Sequence, residues 1–157
     1  MADRKCWLMK TEPDVFSFEE LMARPGRREG WDGIRNYQSR NTMRDLMSVG
    51  DEVLIYHSSC AQPHLAGLGR VASGPRPDPT QFDPQSQYFD PKSDAAAPRW
   101  VLVDIQGERA LERPIPLDEL KLHPALQQMM VIRKGMRLSI QPVAPAEFDA
   151  IVAMAKA

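Results

Sequence analysis

The sequence predicts an α+β, barrel-like fold of about five strands with short helices inserted between them, in one domain spanning residues 1–157. Three observations carry this expectation. Runs such as KCWLMKT, DEVLIYHSS and RWVLVDI have strand length and are rich in β-branched and aromatic residues. Helical signatures separate them: a capping box, a Met/Leu stripe at helical spacing and an amphipathic C-terminal segment. The chain has 157 residues, 43% hydrophobic and 26% charged, which suits one ordinary globular core with no long repeat or linker dividing it.

Taken in order, residues 5–11 form a first strand, with Cys6, Leu8 and Lys10 on one face and Trp7, Met9 and Thr11 on the other. Glu12 and Pro13 end it. Ser17 and Glu20 make a capping box that opens a short helix through Leu21 and Met22, and Pro25-Gly26 stops that helix. Met43, Leu46 and Met47 give an apolar stripe that predicts a helix over 37–49, closed by Gly50. Two strands follow at 51–59 and 65–73, the second with glycines that permit close backbone approach. Residues 75–98 hold six prolines and the near-repeat QFDP…YFDP, too long and too aromatic for a plain linker, so the segment is expected to pack. A central strand over 99–105, a short helix starting over 116–120, a last strand at 137–143 and a helix at 145–155 complete the chain.

Composition excludes several function classes. No apolar run approaches the ~18 residues of a membrane helix, and MADRKCW carries no secretory h-region. Two isolated cysteines and three scattered histidines make no metal-ligand pattern, so neither a metal nor a cofactor is expected. The net charge is −1, so any contact with a polyanion must be local. Local charge exists: residues 24–44 hold six arginines against Glu29 and Asp32, and a smaller basic group is Arg133, Lys134 and Arg137.

The segment GWDGIRNYQSRN lies inside the larger basic cluster. Gly30 and Gly33 flank Trp31-Asp32, so the backbone can turn sharply and present the indole. The bland alternative makes Trp31 a core plug, since tryptophan is usually largely buried. Asn36, Asn41 and Tyr37 follow; the amides suit a base edge, and Arg28, Arg35 and Arg40 suit phosphates. Lys10-Thr11 ends one strand and Tyr56-His57-Ser58 ends another. If those ends share a rim, a hydroxyl, an ammonium and an aromatic ring surround one cavity. His57 reads equally as a histidine satisfied by the backbone, Ser58 as a turn hydroxyl, and Trp7 and Trp100 as core. Adjacent Ser and His point to opposite faces of a strand, so they make poor evidence for a nucleophile.

Several segments in sequence, WLMKTEPDVFSFEEL, WDGIRNYQSRN, VGDEVLIYHSS, AGLGRV, PRWVLVDI and VIRKGMRLSIQPV, together resemble the EVE domain across nearly the whole chain. That resemblance implies a PUA-like mixed β-barrel of about five to six strands. It is similar to the YTH domains, which read a methylated base, and so implies a non-enzymatic reader of a modified base in DNA or RNA. By the same resemblance Trp31 forms one wall of an aromatic cage, Lys10 and Thr11 contact the ligand, and Tyr56, Trp100 or the 82–89 loop supplies another wall. It also implies a cytoplasmic location for a stand-alone bacterial-type domain and a nuclear one in a eukaryote.

Two other readings compete. The related ASCH domains include hydrolases of modified nucleosides, and under that reading Lys10, Asp32 and His57 are acid/base candidates. A small-molecule or protein-binding pocket could use the same walls.

Overall fold

The computed structural model describes residues 4–156. Strand β1 (Cys6–Thr11) sits inside the sheet, and two later strands flank it. The numbering follows the chain: β2 (Arg28–Gly30), β3 (Glu52–His57), β4 (His64–Val71), β5 (Arg76–Pro77), β6 (Val101–Leu102), β7 (Asp104–Pro116) and β8 (Ile140–Val143). Six of these make one mixed sheet in the order β2-β7-β4-β3-β1-β8, while β5 and β6 pair as a separate ribbon. β1 and β3 are parallel, so their C-terminal ends come out on the same rim; the remaining pairs are antiparallel. Register shifts within β3/β4 and twice within β4/β7 bend the sheet into a half-barrel with β2 and β8 at its edges.

Both faces are covered, which the alternation in β1 already requires. Cys6 and Leu8 join a core with Leu54, Leu65 and Ile115, covered by α3 (Leu117–Leu122) and α4 (Pro145–Ala155). Trp7 and Met9 join the opposite core with Phe18, Leu21, Trp31, Met43 and Ile55, under α1 (Phe18–Ala23) and α2 (Tyr37–Asp45). Each such side chain stabilises the fold by about 1.5–3 kcal/mol through removal of apolar surface from water.

The capping box is present: Ser17 Oγ accepts the Glu20 amide at 3.1 Å and Glu20 Oε1 accepts the Ser17 amide at 3.2 Å. The helix lies close on the sheet because glycines leave room beneath it. A Cβ on Gly67 would collide with the Phe18 ring, and one on Gly107 would meet Met22 Sδ at 2.6 Å. Helix α2 ends at Asp45, earlier than its apolar stripe predicts. Other groups take the backbone bonds that a continuing helix would use. Lys5 Nζ donates to the Leu46 carbonyl at 2.6 Å, and Asp51 Oδ2 accepts the Ser48 amide at 2.8 Å.

The strand expected over 99–105 is two elements. β6 pairs with β5, and the chain then re-enters the main sheet as β7, which runs through to Pro116. The proline-rich segment does pack, and it does so around two buried polar side chains, Asp78 and Gln81. Gln81 Nε2 donates to the carbonyls of Asp78 and Trp100, both at 2.7 Å, while its Oε1 accepts from Ser93 Oγ and the Trp100 amide. Asp78 Oδ1 accepts from the Thr80 amide and hydroxyl, and Oδ2 from the Gly33 amide at 2.9 Å and Arg35 Nη1 at 3.0 Å. One fully buried carboxylate therefore joins the proline-rich segment to the Trp31 turn. Asp78→Ala leaves the half-buried Arg35 cation and the Gly33 amide without their acceptor. The expected cost is about 3 kcal/mol of unfolding free energy, read as a lowered urea midpoint at unchanged m value.

Candidate nucleic-acid interface

The rim where β1 and β3 end opens into a cleft of about 750 Å³. Lys10, Thr11 and Ser58 line it from the strand ends, Trp31 and Asp32 from the glycine-flanked turn, Phe16 from the chain before α1, and Tyr88 from the proline-rich segment. Met136, Arg137 and Ser139 supply the remaining wall. The volume falls within the range of small-molecule pockets.

Local sequence explains the placement. The Ser58 amide donates to the Thr11 carbonyl at 2.9 Å, which locks the two strand ends side by side. Thr11 Oγ1 donates to the Phe16 carbonyl at 2.5 Å and orders the approach to α1. The Trp31 amide donates to the Val103 carbonyl at 2.9 Å, fixing the turn to the β6/β7 junction. Gly33 has φ +79°, and a Cβ there would stand 2.6 Å from the Tyr88 ring, so only glycine allows the turn and the loop to touch.

Trp31 is both wall and core. It is 6% exposed and packs edge-to-face on Phe16 at 6.0 Å between ring centroids. Its indole N–H sets it apart from the other two tryptophans. Trp7 Nε1 donates to Asp51 at 2.9 Å and Trp100 Nε1 to Asp90 at 2.8 Å. Trp31 Nε1 has no acceptor among the described residues, and it is not sealed from solvent. That donor is left without a protein partner among those residues.

Two titratable groups in the cleft are shifted by their surroundings. Desolvation lowers the pKa of Lys10, whose ammonium donates to the Met136 carbonyl at 3.2 Å. Desolvation, with repulsion from Asp78 and Glu29, raises that of Asp32, although its side chain reaches solvent at the mouth. Two acids, Glu12 and Glu29, also stand at the rim, where Glu29 pairs with Arg24 at 2.6 Å.

The structure thus brings Lys10, Thr11, Trp31 and Ser58 together and places the other sequence candidates elsewhere. Asn36 is the N-cap of α2, its Oδ1 accepting the Ser39 amide at 3.0 Å. Tyr37, half exposed, stacks on Trp100 at 4.8 Å, and Arg40 lies over the Tyr37 ring. Arg40 also donates to the Arg99 carbonyl at 3.0 Å. Arg35 is held by Asp78, Thr80 and the Tyr88 carbonyl, and Arg28 pairs with Asp104 at 2.9 Å. Tyr56 is buried on the other face of the sheet. Tyr88 occupies the wall for which the 82–89 loop was a candidate, whereas Arg137 was singled out only as a member of the smaller basic group and Ser139 had no signal.

His57 is engaged behind the cleft. Its Nε2 accepts the Phe18 amide at 3.0 Å, so Nδ1 carries the proton and donates to His64 Nε2 at 3.2 Å; His64 Nδ1 in turn donates to the Gln62 carbonyl at 2.8 Å. Lys10 and Asp32 line the cleft and the His57 ring does not, so the three groups invoked for hydrolysis are not assembled. Among the described residues no three His, Cys, Asp or Glu side chains come together as a metal site, and no helix is long and apolar enough to cross a membrane.

A curled mixed sheet with helices on both faces and a cleft at the ends of two parallel strands defines a PUA-like domain. The chain belongs to the EVE domain family, whose profile matches residues 5–154. It is 40% identical to human thymocyte nuclear protein 1 over 94% of this chain and 72% of that protein. An uncharacterised Schizosaccharomyces pombe protein is 38% identical, over 98% of this chain and 69% of the other. Among solved structures, human THYN1 in complex with 5-methylcytosine-containing DNA matches at TM-score 0.91 and 39% identity, covering 98% of each chain. An ASCH protein of Zymomonas mobilis matches at TM-score 0.57 and 14% identity, a likeness of fold alone.

Burial and then the neighbouring His64 depress the pKa of His57, and protonating Nε2 also removes the acceptor for the Phe18 amide at the start of α1. Between the folded and unfolded pKa values the unfolded chain binds more protons, so this contribution is complete above the unfolded value of about 6.5 and is lost as pH falls through the folded one. Unfolding free energy measured from about pH 7 to 5 is expected to decline more steeply in wild type than in His57→Gln, whose amide oxygen can still accept from Phe18.

Proposed function

We propose that this protein is a non-enzymatic DNA-binding module that reads a modified base, 5-methylcytosine being the first candidate, by holding it in the cleft beside Trp31. The observation that carries the reading is the match, over 98% of both chains, to a relative solved with 5-methylcytosine-containing DNA. The cleft supports it: Trp31, Phe16 and Tyr88 offer aromatic surface, and the Trp31 N–H lacks a protein acceptor among the described residues. Base–aromatic stacking contributes about 1–3 kcal/mol per base, enough to anchor one.

In this reading the base leaves its stack at a cost of a few kcal/mol, least in a single strand. Asp32 is of the residue type that accepts from the exocyclic amino group of cytosine. Thr11, Ser58 and Lys10 meet the sugar or the base edge from the strand ends. A buried methyl contributes only about 0.8 kcal/mol, roughly a fourfold preference. Larger discrimination requires the aromatic enclosure, or a polar group left unpaired by the unmodified base.

The test is fluorescence anisotropy at fixed salt, with oligonucleotides carrying one 5-methylcytosine or its plain counterpart, as DNA and as RNA. Trp31→Ala should weaken binding of the modified DNA by roughly 5- to 150-fold, the equivalent of 1–3 kcal/mol. Trp31→Phe should retain most of it, and thermal melts of both variants separate lost stacking from lost fold. Equal binding by wild type and a folded Trp31→Ala protein would remove the reader pocket from this cleft. Tighter binding of the RNA set would move the reading to RNA.

A further inference from the structure

A second groove, of about 530 Å³, opens on the other side of Lys10 and shares Lys10, Ser58 and Met136 with the cleft. Its charged lining is of one sign: Lys10, Lys121, Arg133 and Lys134, with no carboxylate among the lining residues. Lys121 comes from the last turn of α3. Arg133 and Lys134 belong to a tight turn in which the Met136 amide donates to the Arg133 carbonyl at 3.2 Å and Gly135 takes φ +77°. The turn is tied to β1 twice: Lys10 Nζ donates to the Met136 carbonyl at 3.2 Å and the Lys10 amide to the Ser139 carbonyl at 2.8 Å.

What distinguishes these cations is that they are unspent. Lys121, Arg133 and Lys134 are exposed and form no ion pair among the described residues, and the same holds for Arg137 on the wall of the cleft. Most of the larger arginine cluster at 24–44 behaves oppositely. Arg24, Arg28, Arg35 and Arg44 are paired with Glu29, Asp104, Asp78 and Asp45, whereas Arg27 and Arg40 donate to neutral acceptors, Arg27 to the Glu108 carbonyl and Arg40 to Asn41 and the Arg99 carbonyl. An arginine whose charge is already neutralised gains little from a phosphate, because one ion pair must break to make another. An unpaired cation releases counterions from the nucleic acid without that loss.

We infer that the groove between α3, the 133–136 turn and the end of β1 carries the phosphodiester backbone of the strand whose base occupies the cleft, with Lys121, Arg133 and Lys134 against phosphates. The inference rests on the reader function proposed above. It assigns sequence-independent affinity to the second, smaller basic group and base discrimination to the cleft, a division general to nucleic-acid recognition.

The experiment measures Kd for single-stranded DNA with 5-methylcytosine or cytosine over a salt series, using the full chain. The proteins are wild type, Lys121→Gln/Arg133→Gln/Lys134→Gln, and Arg28→Gln/Arg44→Gln, which removes two arginines already paired with carboxylates. The triple variant alters exposed side chains only, and a thermal melt confirms its fold. Loss of three contacts should make the slope of log K against log salt shallower by roughly 2 and weaken binding by about tenfold or more at low salt. The preference for 5-methylcytosine over cytosine should be unchanged, and the Arg28/Arg44 variant should keep the wild-type slope. An unaltered slope in the triple variant, or a loss confined to the Arg28/Arg44 variant, overturns the groove while leaving the reader function intact. A changed base preference in the triple variant also overturns the division proposed here. Wild type that binds neither oligonucleotide removes the reader function itself, and the groove with it.

Discussion

The buried carboxylate of Asp78 is the constraint on which the cleft depends. It lies in the proline-rich segment yet accepts the amide of Gly33 and a guanidinium nitrogen of Arg35, two residues of the tryptophan turn. Arg35 in turn donates to the Tyr88 carbonyl, so one charge pair sets the separation between the Trp31 and Tyr88 walls. A buried charge tolerates loss of its partners poorly, since its desolvation is no longer offset. Such a group stabilises a single arrangement of two long loops that have little regular structure of their own. Gln81 does the same for the rest of the segment, using all its polar atoms on Asp78, Trp100 and Ser93.

The sheet supplies the other half of the site. Parallel pairing of β1 with β3 brings Lys10, Thr11 and Ser58 to one rim, and the bond between Ser58 and Thr11 holds them there. α1 must lie flat against the sheet for Phe16 to reach Trp31, which explains the demand for glycine at 67 and 107 beneath it. Walls come from buried, hydrogen-bonded loops, while polar contacts come from strand ends, which are stiff. That combination suits recognition by shape, in which little ordering remains to be done when a ligand arrives.

Much of the fold was legible because it is written in local patterns. Ser17 and Glu20 announce the first helix, the alternation in KCWLMKT sorts β1 onto two cores, and the final helix occupies its expected residues. β7 was legible only at its start. Beyond Ile105 the run Gln106-Gly107-Glu108-Arg109 and the later Pro114 and Pro116 have no period-two pattern, and bulged pairing with β4 holds them in the sheet. β2 and β5, three and two residues long, leave no pattern to read, and β6 was legible only as part of the strand read over 99–105.

The site divides along the same line. Sequence by itself determined the family, the two-faced core, and the glycine-flanked turn GWDG, because spacing and residue type act over a few residues. It could not determine which arginines remain free. Arg35 and Arg133 are equivalent in sequence, but Asp78 neutralises one from 43 residues away while the other pairs with no carboxylate among the described residues. Nor could it show that His57, adjacent to Ser58, belongs to a chain of hydrogen bonds behind the cleft. Electrostatic partnership is set by distance in space and by burial, and only the tertiary structure decided those.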